Sequence, residues 1–400
     1  MSTDFDLIIV GGGLAGGSLS LALDGTRLRI AVVESVDEAQ RQASPAGERA
    51  LALAWGTAQF LDQLGIWARA LPHAAPIRSI HVSDRGHFGK VRMSARREGV
   101  PALGYVATAR VLEDAIAETL ANTPVTLLQP ASVTSLKNEG DAIRVGVRQG
   151  EQDHQLSARL VVAADGGNST VRKLLDIGQT EREYGQTAIV TEVTSERGND
   201  DTAYERFTEA GPLAMLPLGR RRSSVVWTLS HDDARTTLAL NDGEFRDRLQ
   251  DAFGQWLGRL ELATARQGFP LKLIRAQRMT DRRVVLVGNA MHQLHPVAGQ
   301  GFNLGLRDVA VLAERIQARL QFGEDLGAAD FLESYARTRR DDLDRVIGFT
   351  DSMVRLFSNS RWPLVQARNL GMTVLNNCPP IKHRLVRYAM GLGERLPRFR

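Results

Sequence analysis

Short, unbroken apolar runs alternate with an amphipathic stretch at the start of the chain. Residues 5–10 are apolar except for Asp6, residues 29–34 are apolar except for the charged residue at each end, and residues 14–23 between them follow a glycine-rich turn. Continuous apolar runs, rather than alternating ones, are typical of parallel strands that are buried on both faces. The pattern therefore predicts strand, turn, helix and strand, which is the opening of a nucleotide-binding α/β domain.

The pattern changes twice along the chain to one that is typical of antiparallel sheet. Residues 77–102 and 179–276 hold short strand-like segments, whereas residues 160–164 and 283–287 return to the buried-strand pattern. We expect an α/β protein with a Rossmann-like domain assembled from the discontinuous segments 1–76, 103–178 and 277–350. Residues 77–102 and 179–276 would form an inserted β-sheet-rich substrate domain.

Four further stretches have helical periodicity: residues 50–64, which end at Gly65, residues 109–121, residues 303–320, and a helical pair over 328–357. Pro363, Pro379 and Pro380 interrupt the last forty residues. Proline cannot donate a backbone hydrogen bond inside a helix, so we expect only short helices over 351–400.

Composition is that of an ordinary globular protein, with 43% hydrophobic and 24% charged residues. The single cysteine and the acidic start, which does not resemble a signal peptide, favour a reducing compartment and a cytoplasmic location. The net charge of +4 is unevenly placed, because residues 361–400 carry eight Lys or Arg and one Glu. This basic segment is either an ordinary solvated or packed terminus or a contact for anionic lipid or an acidic partner.

The first motif is Gly11-x-Gly13-x-x-Gly16, placed after a strand and before a helix. In that context Gly11 permits the tight turn, Gly13 allows a pyrophosphate to approach the backbone, and Gly16 allows the helix to pack on the strand. Glu34, at the end of the next strand, is placed to accept hydrogen bonds from ribose hydroxyls. A second such motif is lacking, so we expect one resident dinucleotide and only transient binding of a nicotinamide cofactor.

Two later motifs follow buried strands. Asp165-Gly166 begins a turn before a short helix, and residues 288–303 pass through an irregular stretch into a long helix. The N-terminus of such a helix stabilises negative charge on a reduced flavin. His292 is a candidate acid or base; we expect no metal site here, because His292 and His295 lack a nearby third ligand.

These motifs have the order and spacing found in the class A flavoprotein aromatic hydroxylases, which the chain resembles over roughly residues 5–350. The runs VSDRGH (82–87), ERFTEAGPLAMLP (205–217) and HPVAGQGFNLGLRD (295–308) resemble the ubiquinone-biosynthesis branch of that family. One departure is Asn289, which stands where many members have Asp and keeps an acceptor oxygen without the charge.

The resemblance implies an FAD site and an NAD(P)H- and O₂-consuming hydroxylation of a polyprenylated phenol of the 2-polyprenyl-6-methoxyphenol type. It assigns the cofactor to Gly11, Gly13, Leu14, Ala15, Glu34, Arg49, Arg110, Asp165, Asn289, Pro296, Gly299, Gly301, Phe302 and Asn303. For Arg49 and Arg110 a surface ion pair is the alternative. A reductase of the same superfamily and a non-enzymatic FAD- or lipid-binding scaffold are the alternatives for the whole chain.

A polyprenylated substrate resides in the bilayer, so we expect the enzyme to dock at the inner face of the cytoplasmic membrane or to receive substrate from other ubiquinone-biosynthesis proteins. We expect no nucleic-acid partner. The proposed lipid contacts are the apolar Trp362, Leu364, Val365, Ile381, Leu385, Val386, Tyr388 and Met390 and the basic Arg361, Arg368, Lys382, Arg384 and Arg387. Packing of this segment on the rest of the protein is the alternative.

Overall fold

The computed structural model describes residues 3–294, 299–357 and 362–392. The strands are β1 (Phe5–Val10), β2 (Ile30–Val33), β3 (Ala50–Ala54), β4 (Ala75–Ile77), β5 (Ser79–Asp84), β6 (Lys90–Ser94), β7 (Gly104–Thr108), β8 (Thr126–Leu128), β9 (Ser132–Asn138), β10 (Ile143–Gln149), β11 (Gln152–Ala163), β12 (Gln179–Ser195), β13 (Thr202–Thr208), β14 (Gly211–Pro217), β15 (Arg222–Ser230), β16 (Leu260–Leu262), β17 (Gln267–Ala276), β18 (Thr280–Asp281), β19 (Val284–Leu286) and β20 (His292–Gln293).

The helices are α1 (Leu14–Ala22), α2 (Glu38–Ala43), α3 (Trp55–Gln63), α4 (Trp67–Ala70), α5 (Ala95–Glu98), α6 (Ala109–Leu120), α7 (Thr170–Leu174), α8 (His231–Leu238), α9 (Asp242–Phe253), α10 (Gln300–Gln321), α11 (Ala329–Phe357), α12 (Trp362–Asn377) and α13 (Pro379–Ala389). Short 3-10 helices span Pro45–Glu48, Leu71–His73 and Gly288–Ala290.

The first sheet is a parallel core in the order β19–β11–β1–β2–β8, with β18 antiparallel at one edge. β10 pairs with β11, and β9 pairs with β10. Its central strands are buried on both faces, as their continuous apolar sequences predict. α1, α6 and α10 pack with one face of this sheet around a common apolar core. The expected Rossmann-like α/β fold is confirmed.

The second, larger sheet has the order β20–β17–β12–β15–β14–β13–β5–β6. β5 and β6 come from the first expected insertion and β12 to β17 from the second, so the two insertions pair into one sheet. β20 belongs to the third piece of the nucleotide-binding domain and pairs with the edge of this sheet. One face is covered by α8 and α9, and the other is turned toward the parallel-sheet domain. The domain boundaries themselves stay a prediction.

A small sheet in the order β3–β7–β4 lies between the two larger ones. Its first strand corrects the sequence analysis, which predicts helix from residue 50. Ala50–Ala54 is a strand paired with β7, and helix begins only at Trp55. The alternation of Ala and Leu has good intrinsic helix propensity, but tertiary pairing overrides that weak preference.

The C-terminal helices also differ from expectation. Residues 329–357 form the single helix α11 rather than a pair, and α12 has 16 residues, longer than the short helices predicted. α12 packs on β6, and α13 follows a turn in which Pro379 and Pro380 occupy the first helical positions, where their missing N–H groups cost nothing. None of the helices in the described ranges is long and apolar enough to cross a membrane.

A buried ion pair attaches α12 to the large sheet. Arg368 donates to Asp84 through Nε at 2.7 Å and Nη2 at 3.0 Å, and Asn369 donates to the same carboxylate at 2.9 Å. Arg368 and Asp84 are 8% and 4% exposed. Arg368 is therefore a packing residue rather than a lipid contact. Val365, Val386 and Met390 are likewise buried. Arg361 and the side chain of Trp362 lie outside the described residues.

We predict that Arg368→Met destabilises the protein by about 3–5 kcal/mol, because it leaves the Asp84 carboxylate buried without its cation. Urea unfolding measures this, and hydrogen exchange should show α12 losing protection before the parallel sheet does. Asp232→Asn is the matched control, since Asp232 pairs with Arg235 on an exposed helix surface; its effect should stay within about 0.5 kcal/mol. Equal stability of the Arg368→Met and wild-type proteins would contradict the assignment.

Candidate functional site

The carboxyl ends of four neighbouring parallel strands meet at one edge of the first sheet. Glu34 follows β2, Gly11 follows β1, Asp165 follows β11 by two residues, and Gly288 follows β19. In open α/β sheets ligands bind outside this edge. The predicted motifs, which are spread over more than 250 positions of the sequence, are thus brought together by strand order.

The glycine turn after β1 has the geometry that the motif predicts. Gly11 has φ +97°, and a Cβ there would lie 2.5 Å from the carbonyl oxygen of Ala164. A Cβ on Gly16 would lie 1.8 Å from the carbonyl oxygen of Gly11. At Gly13, by contrast, a Cβ would meet no described protein atom within 4 Å. Two glycines therefore serve close packing, and the third leaves open backbone where a pyrophosphate can approach.

Glu34 is tied to this turn by hydrogen bonds. Gly12 donates its N–H to Oε2 at 2.6 Å, and Val36 donates to Oε1 at 2.8 Å. Each carboxylate oxygen keeps a second lone pair for a ribose hydroxyl. Glu34 therefore both orders the turn and offers acceptors beside it. Its charge would repel a ribose 2′-phosphate.

Asp165 contributes a polar atom that protein contacts leave unsatisfied. Its Oδ2 accepts from the N–H of Val171 at 3.1 Å, but its buried Oδ1 has no partner among the described residues. A buried oxygen without a donor is costly unless a ligand satisfies it. Asp165 adjoins Gly11, whose missing side chain lets the two turns touch. The orphaned oxygen fits a hydroxyl-bearing cofactor at this edge.

The loop after β19 packs between α1 and α10. A Cβ at Gly288, where φ is +57°, would lie 3.4 Å from Cβ of Ala15 and 4.0 Å from Cα of Gly305. Leu14 and Ala15, at the start of α1, are partly buried, and Asn289 is exposed on the 3-10 helix. Asn289 is therefore accessible to a ligand, and its contact with a cofactor stays a prediction.

A buried carboxylate, Asp308, holds this loop from behind. Asp308 is 0% exposed and accepts from the N–H of Gly288 at 3.1 Å, from Arg339 Nε at 2.7 Å and across 2.8 Å from His292 Nε2. Burial raises the pKa of Asp308, but the charges of Arg339 and His292 outweigh that effect and hold it below its usual range. The carboxylate is thus an ion-pair centre that connects β19, β20, α10 and α11.

His292, the candidate acid or base, is 1% exposed and bonded to this carboxylate. Its Nδ1 is buried and has no partner among the described residues. Its place in the network favours a role in positioning the loop over direct contact with a substrate. The catalytic role stays a prediction.

The start of α10 is clamped by Asn303. Its side-chain oxygen accepts from Ala54 N–H and the Thr57 hydroxyl, at 2.8 and 2.7 Å, and its amide donates to the carbonyls of Ala52 and Gly299, at 2.9 and 2.7 Å. The predicted cofactor residue Asn303 thus directs its amide to the protein. The amide nitrogen and the amide oxygen of Asn303 together hold β3 against α10.

Glycines at this helix start have different constraints. Gly299 is left-handed at φ +59°, and a Cβ there would lie 3.0 Å from Cβ of Ala52. At Gly301 the nearest described atom to a Cβ is Leu294 Cβ at 4.0 Å. Phe302 is partly buried against the core of the first domain. Pro296, the remaining predicted cofactor residue of this segment, lies outside the described residues.

Arg49 and Arg110, the two arginines predicted to contact the cofactor, hydrogen-bond to other parts of the protein. Arg110 donates to Glu48 at 2.8 Å, to the carbonyl oxygens of Arg41 and Ser44 at 3.1 and 2.8 Å, and to the Gln42 side chain at 3.2 Å. It therefore organises the segment after β2, as the ion-pair alternative states. Arg49 is exposed and donates to the Ala46 carbonyl at 3.3 Å. Their contact with a cofactor stays a prediction.

No group of three or more His, Cys, Asp or Glu residues suited to a metal ion occurs in the part of the chain that the structure describes. The arrangement that the edge does offer is a backbone cradle with carboxylate acceptors, which suits a dinucleotide.

Comparisons with known proteins agree with this geometry. A family model described as "FAD binding domain" matches residues 4–350. The chain is 40% identical to ubiquinone hydroxylase UbiL of Rhodospirillum rubrum, covering 98% of this chain and 92% of the relative. It is 31% identical to 3-demethoxyubiquinol 3-hydroxylase of Escherichia coli, covering 97% and 98%.

Among solved structures, p-nitrophenol 4-monooxygenase PnpA from Pseudomonas putida matches with a TM-score of 0.79 and 20% identity, covering 99% of this chain and 100% of that one. At this identity the likeness concerns the fold, which includes the inserted sheet.

We predict that the purified protein carries about one FAD per chain and that Glu34→Arg weakens FAD binding about 10- to 150-fold. The loss of one charge-assisted hydrogen bond, roughly 1.5–3 kcal/mol, sets that range, and the new positive charge acts on the turn as well. Fluorescence titration of apoprotein with FAD measures it.

Glu34→Gln is the control, because it keeps one acceptor oxygen and should cost less. Circular dichroism establishes that all three proteins are folded. Equal FAD affinity of wild-type and Glu34→Arg protein would remove Glu34 from the site.

Proposed function

This chain belongs to the FAD-binding domain family, in the ubiquinone-biosynthesis branch of the flavoprotein aromatic hydroxylases, and is an FAD-dependent monooxygenase. From this we propose that it hydroxylates the ring of a polyprenylated phenol, of the 2-polyprenyl-6-methoxyphenol type, with NAD(P)H and O₂ as co-substrates. The observation that carries the proposal is the 40% identity to a ubiquinone hydroxylase over 98% of the chain. The complete backbone cradle supports it.

We assign the adenosine and pyrophosphate parts of FAD to the Gly11–Gly13 turn with Glu34 and Asp165. Asn289 and the start of α10, at Gly301 and Phe302, would adjoin the ring system. When bound, FAD supplies the electron transfer and oxygen activation that no side chain provides. The protein binds and orients the two reactants and excludes water from between them.

The N-terminus of α10 suits this assignment electrostatically. α10 has 22 residues, and Gly299, the residue that precedes it, has no side chain with which to cap it. Its first N–H groups and the positive end of its dipole therefore remain to stabilise negative charge that develops on a ligand. Asp308 and Asn303 hold this helix start rigidly from the protein side.

The inserted sheet supplies an apolar surface for an aromatic substrate. Val190, Val226, Ala214 and Val82 lie in one row across its face and are partly buried. An apolar surface with few polar groups is typical of small-molecule sites.

We predict that a prenylated methoxyphenol stimulates NAD(P)H oxidation with matching O₂ uptake and a hydroxylated product. In Gly301→Val, more hydrogen peroxide should form per NAD(P)H oxidised. The nearest described atom to a Cβ at Gly301 is Leu294 Cβ at 4.0 Å, so we expect the new side chain to project into the ligand space at the helix start. Product analysis with an oxygen electrode and a peroxide assay measures both.

Stimulated NAD(P)H oxidation without O₂ uptake would favour a reductase instead. Lack of any stimulation by phenols would favour a non-enzymatic scaffold. Accumulation of a prenylated phenol in a strain that lacks the gene identifies the ring position that is hydroxylated.

We propose further that α12 rests on an anionic membrane surface, from which the substrate is taken. Leu370 and Val374 lie one turn apart on the same face of α12 and are 61% and 54% exposed, and Leu364 near the start of the helix is 41% exposed. Ile381 of α13 is 54% exposed. Arg384, also exposed, adds positive charge. An apolar helix face beside basic residues is typical of peripheral attachment in the plane of the membrane.

A cavity of about 800 Å³ opens at the junction of α12 and α13. Arg92, Arg97 and Lys382 line it together with Asn376 and Asn377, and no Asp or Glu is among its described lining residues. This positive cavity suits the phosphate of an anionic lipid headgroup.

We predict that the protein floats with vesicles that contain phosphatidylglycerol and that Leu370→Glu/Val374→Glu abolishes flotation. Two carboxylates on this face oppose both apolar insertion and the negative surface. Phe322→Glu is the matched control, because Phe322 is 77% exposed after the end of α10. Equal flotation of the α12 variant and the wild type, or none by either, would leave a partner protein as the source of substrate.

A further inference from the structure

A carboxylate lies in the middle of the apolar row on the large sheet. Strand register pairs Glu205 of β13 with Ala214 of β14 on one side and with Val82 of β5 on the other. Directly paired residues share a face of a sheet, so Glu205 belongs to the row that continues through Val226 and Val190. Its neighbour Tyr204 is on the opposite face, in the core beneath α9.

The face that holds Glu205 is the one turned toward the flavin domain. Ala203, two residues earlier on the same face, packs with Ile77 and Val106 of the small sheet. The strand β3 of that sheet in turn bonds to Asn303 at the start of α10. Phe207, two residues later, stacks on Phe357 of α11. Glu205 is thus placed between two packed clusters, on the sheet face that the small sheet and α11 cover.

The other carboxylates that strand register places on this face have cations as partners. Asp84 pairs with Arg368, Glu192 pairs with Arg222, and Glu261 pairs with Arg259. Glu205 is partly buried, and burial alone raises the pKa of its carboxyl to about 7. No residue in the described ranges donates a hydrogen bond to it or forms an ion pair with it. Burying a carboxylate among apolar side chains without a partner lowers the stability of the folded protein. Carboxylates in such costly surroundings are often found at functional sites.

We propose that Glu205 binds the phenolic hydroxyl of the substrate and accepts its proton. This assignment rests on the proposed function and names the residue that the reaction uses to activate the ring. His292 is less suited to this contact, because it is 1% exposed and already bonded to Asp308.

The step is a simple proton transfer. The phenolic O–H bond breaks, the proton moves to a carboxylate oxygen of Glu205, and the electron pair stays on the phenolate oxygen. A phenolate donates electron density to its ring more strongly than a phenol does, so the ring becomes a better nucleophile for oxygen transfer. A base with a pKa near the working pH suits this transfer in both directions.

Few charged groups face Glu205. β3, β4, β7 and β14 contain no charged residue. On the other packed elements the charged groups and histidines whose side chains are described are Asp84, Glu192, Arg222, Asp62 of α3, Asp351 near the end of α11, Arg368 of α12, and Lys382, His383, Arg384 and Arg387 of α13. Asp351 pairs with Arg182 at 2.6 Å, and Lys382 donates to Asn376 at 3.0 Å. The titration of Glu205 should therefore reflect mainly its burial and the bound phenol.

The test compares Glu205→Gln with wild-type holoenzyme at equal FAD content. kcat/KM for phenol hydroxylation should fall about 100- to 10,000-fold at pH 7, the usual contribution of a positioned base. In the wild type, kcat/KM should rise with pH and level off above about 7. In the variant it should keep rising toward the pKa of the phenol itself, about 10. Glu205→Asp should recover part of the rate.

Glu209→Gln is the matched control, since Glu209 is an exposed carboxylate four residues away in the turn after β13. It should keep the wild-type rate and pH profile. A Glu205→Gln enzyme with the wild-type pH profile would overturn the proposal. If the wild type hydroxylates no phenol, the proposed function fails and the role of Glu205 fails with it. A fall in kcat/KM in Glu205→Gln, with normal activity in the wild type and in Glu209→Gln, supports both.

A second readout is independent of turnover. A raised carboxyl pKa means that the folded state holds the proton more tightly, so stability falls as pH rises from about 4.5 to about 7. The melting temperature of the wild type should therefore drop between pH 5 and pH 8 more than that of Glu205→Gln. Equal drops would show that Glu205 is not desolvated in solution, which also overturns the proposal.

Discussion

The buried carboxylate of Asp308 is the contact on which the arrangement of the site depends. A fully buried charge persists only when it is paired and its lone pairs are satisfied. Here Gly288, His292 and Arg339 satisfy it from three different parts of the chain. The loop after β19, the edge of the large sheet, α10 and α11 are therefore held in one relative arrangement.

Around this anchor, the cofactor side and the proposed substrate side of the site use different interactions to bind their ligands. The cofactor edge uses backbone N–H groups, absent side chains and a few carboxylates, because phosphates and hydroxyls need donors and close approach. The proposed substrate side uses an apolar sheet face, because burial of apolar surface would favour binding of a prenylated ring. A single unpaired carboxylate on that face, Glu205, is then much more consequential than the many exposed carboxylates elsewhere.

Local motifs allowed much of the cofactor edge to be predicted. Gly11, Gly16, Glu34 and Asp165 act through turns and strand ends that lie within a few residues of them, so spacing alone indicates their places. Asn303 and Arg110 were harder to assign, because the side chains meet partners that are far away in sequence. The same limit explains the strand at Ala50–Ala54, whose helix-favouring residues pair with β7 only in the folded chain.

The amino-acid sequence by itself determined the α/β class, the two-part insertion and the identity of the glycine turn, because hydrophobic period and glycine spacing are local properties. Only the tertiary structure decided which residues share the proposed substrate face. A strand pattern shows that side chains alternate, but not which side faces the flavin domain, since one residue of register exchanges the two faces. Glu205 therefore emerged from strand pairing, and Arg368 changed from an expected lipid contact to a buried partner of Asp84.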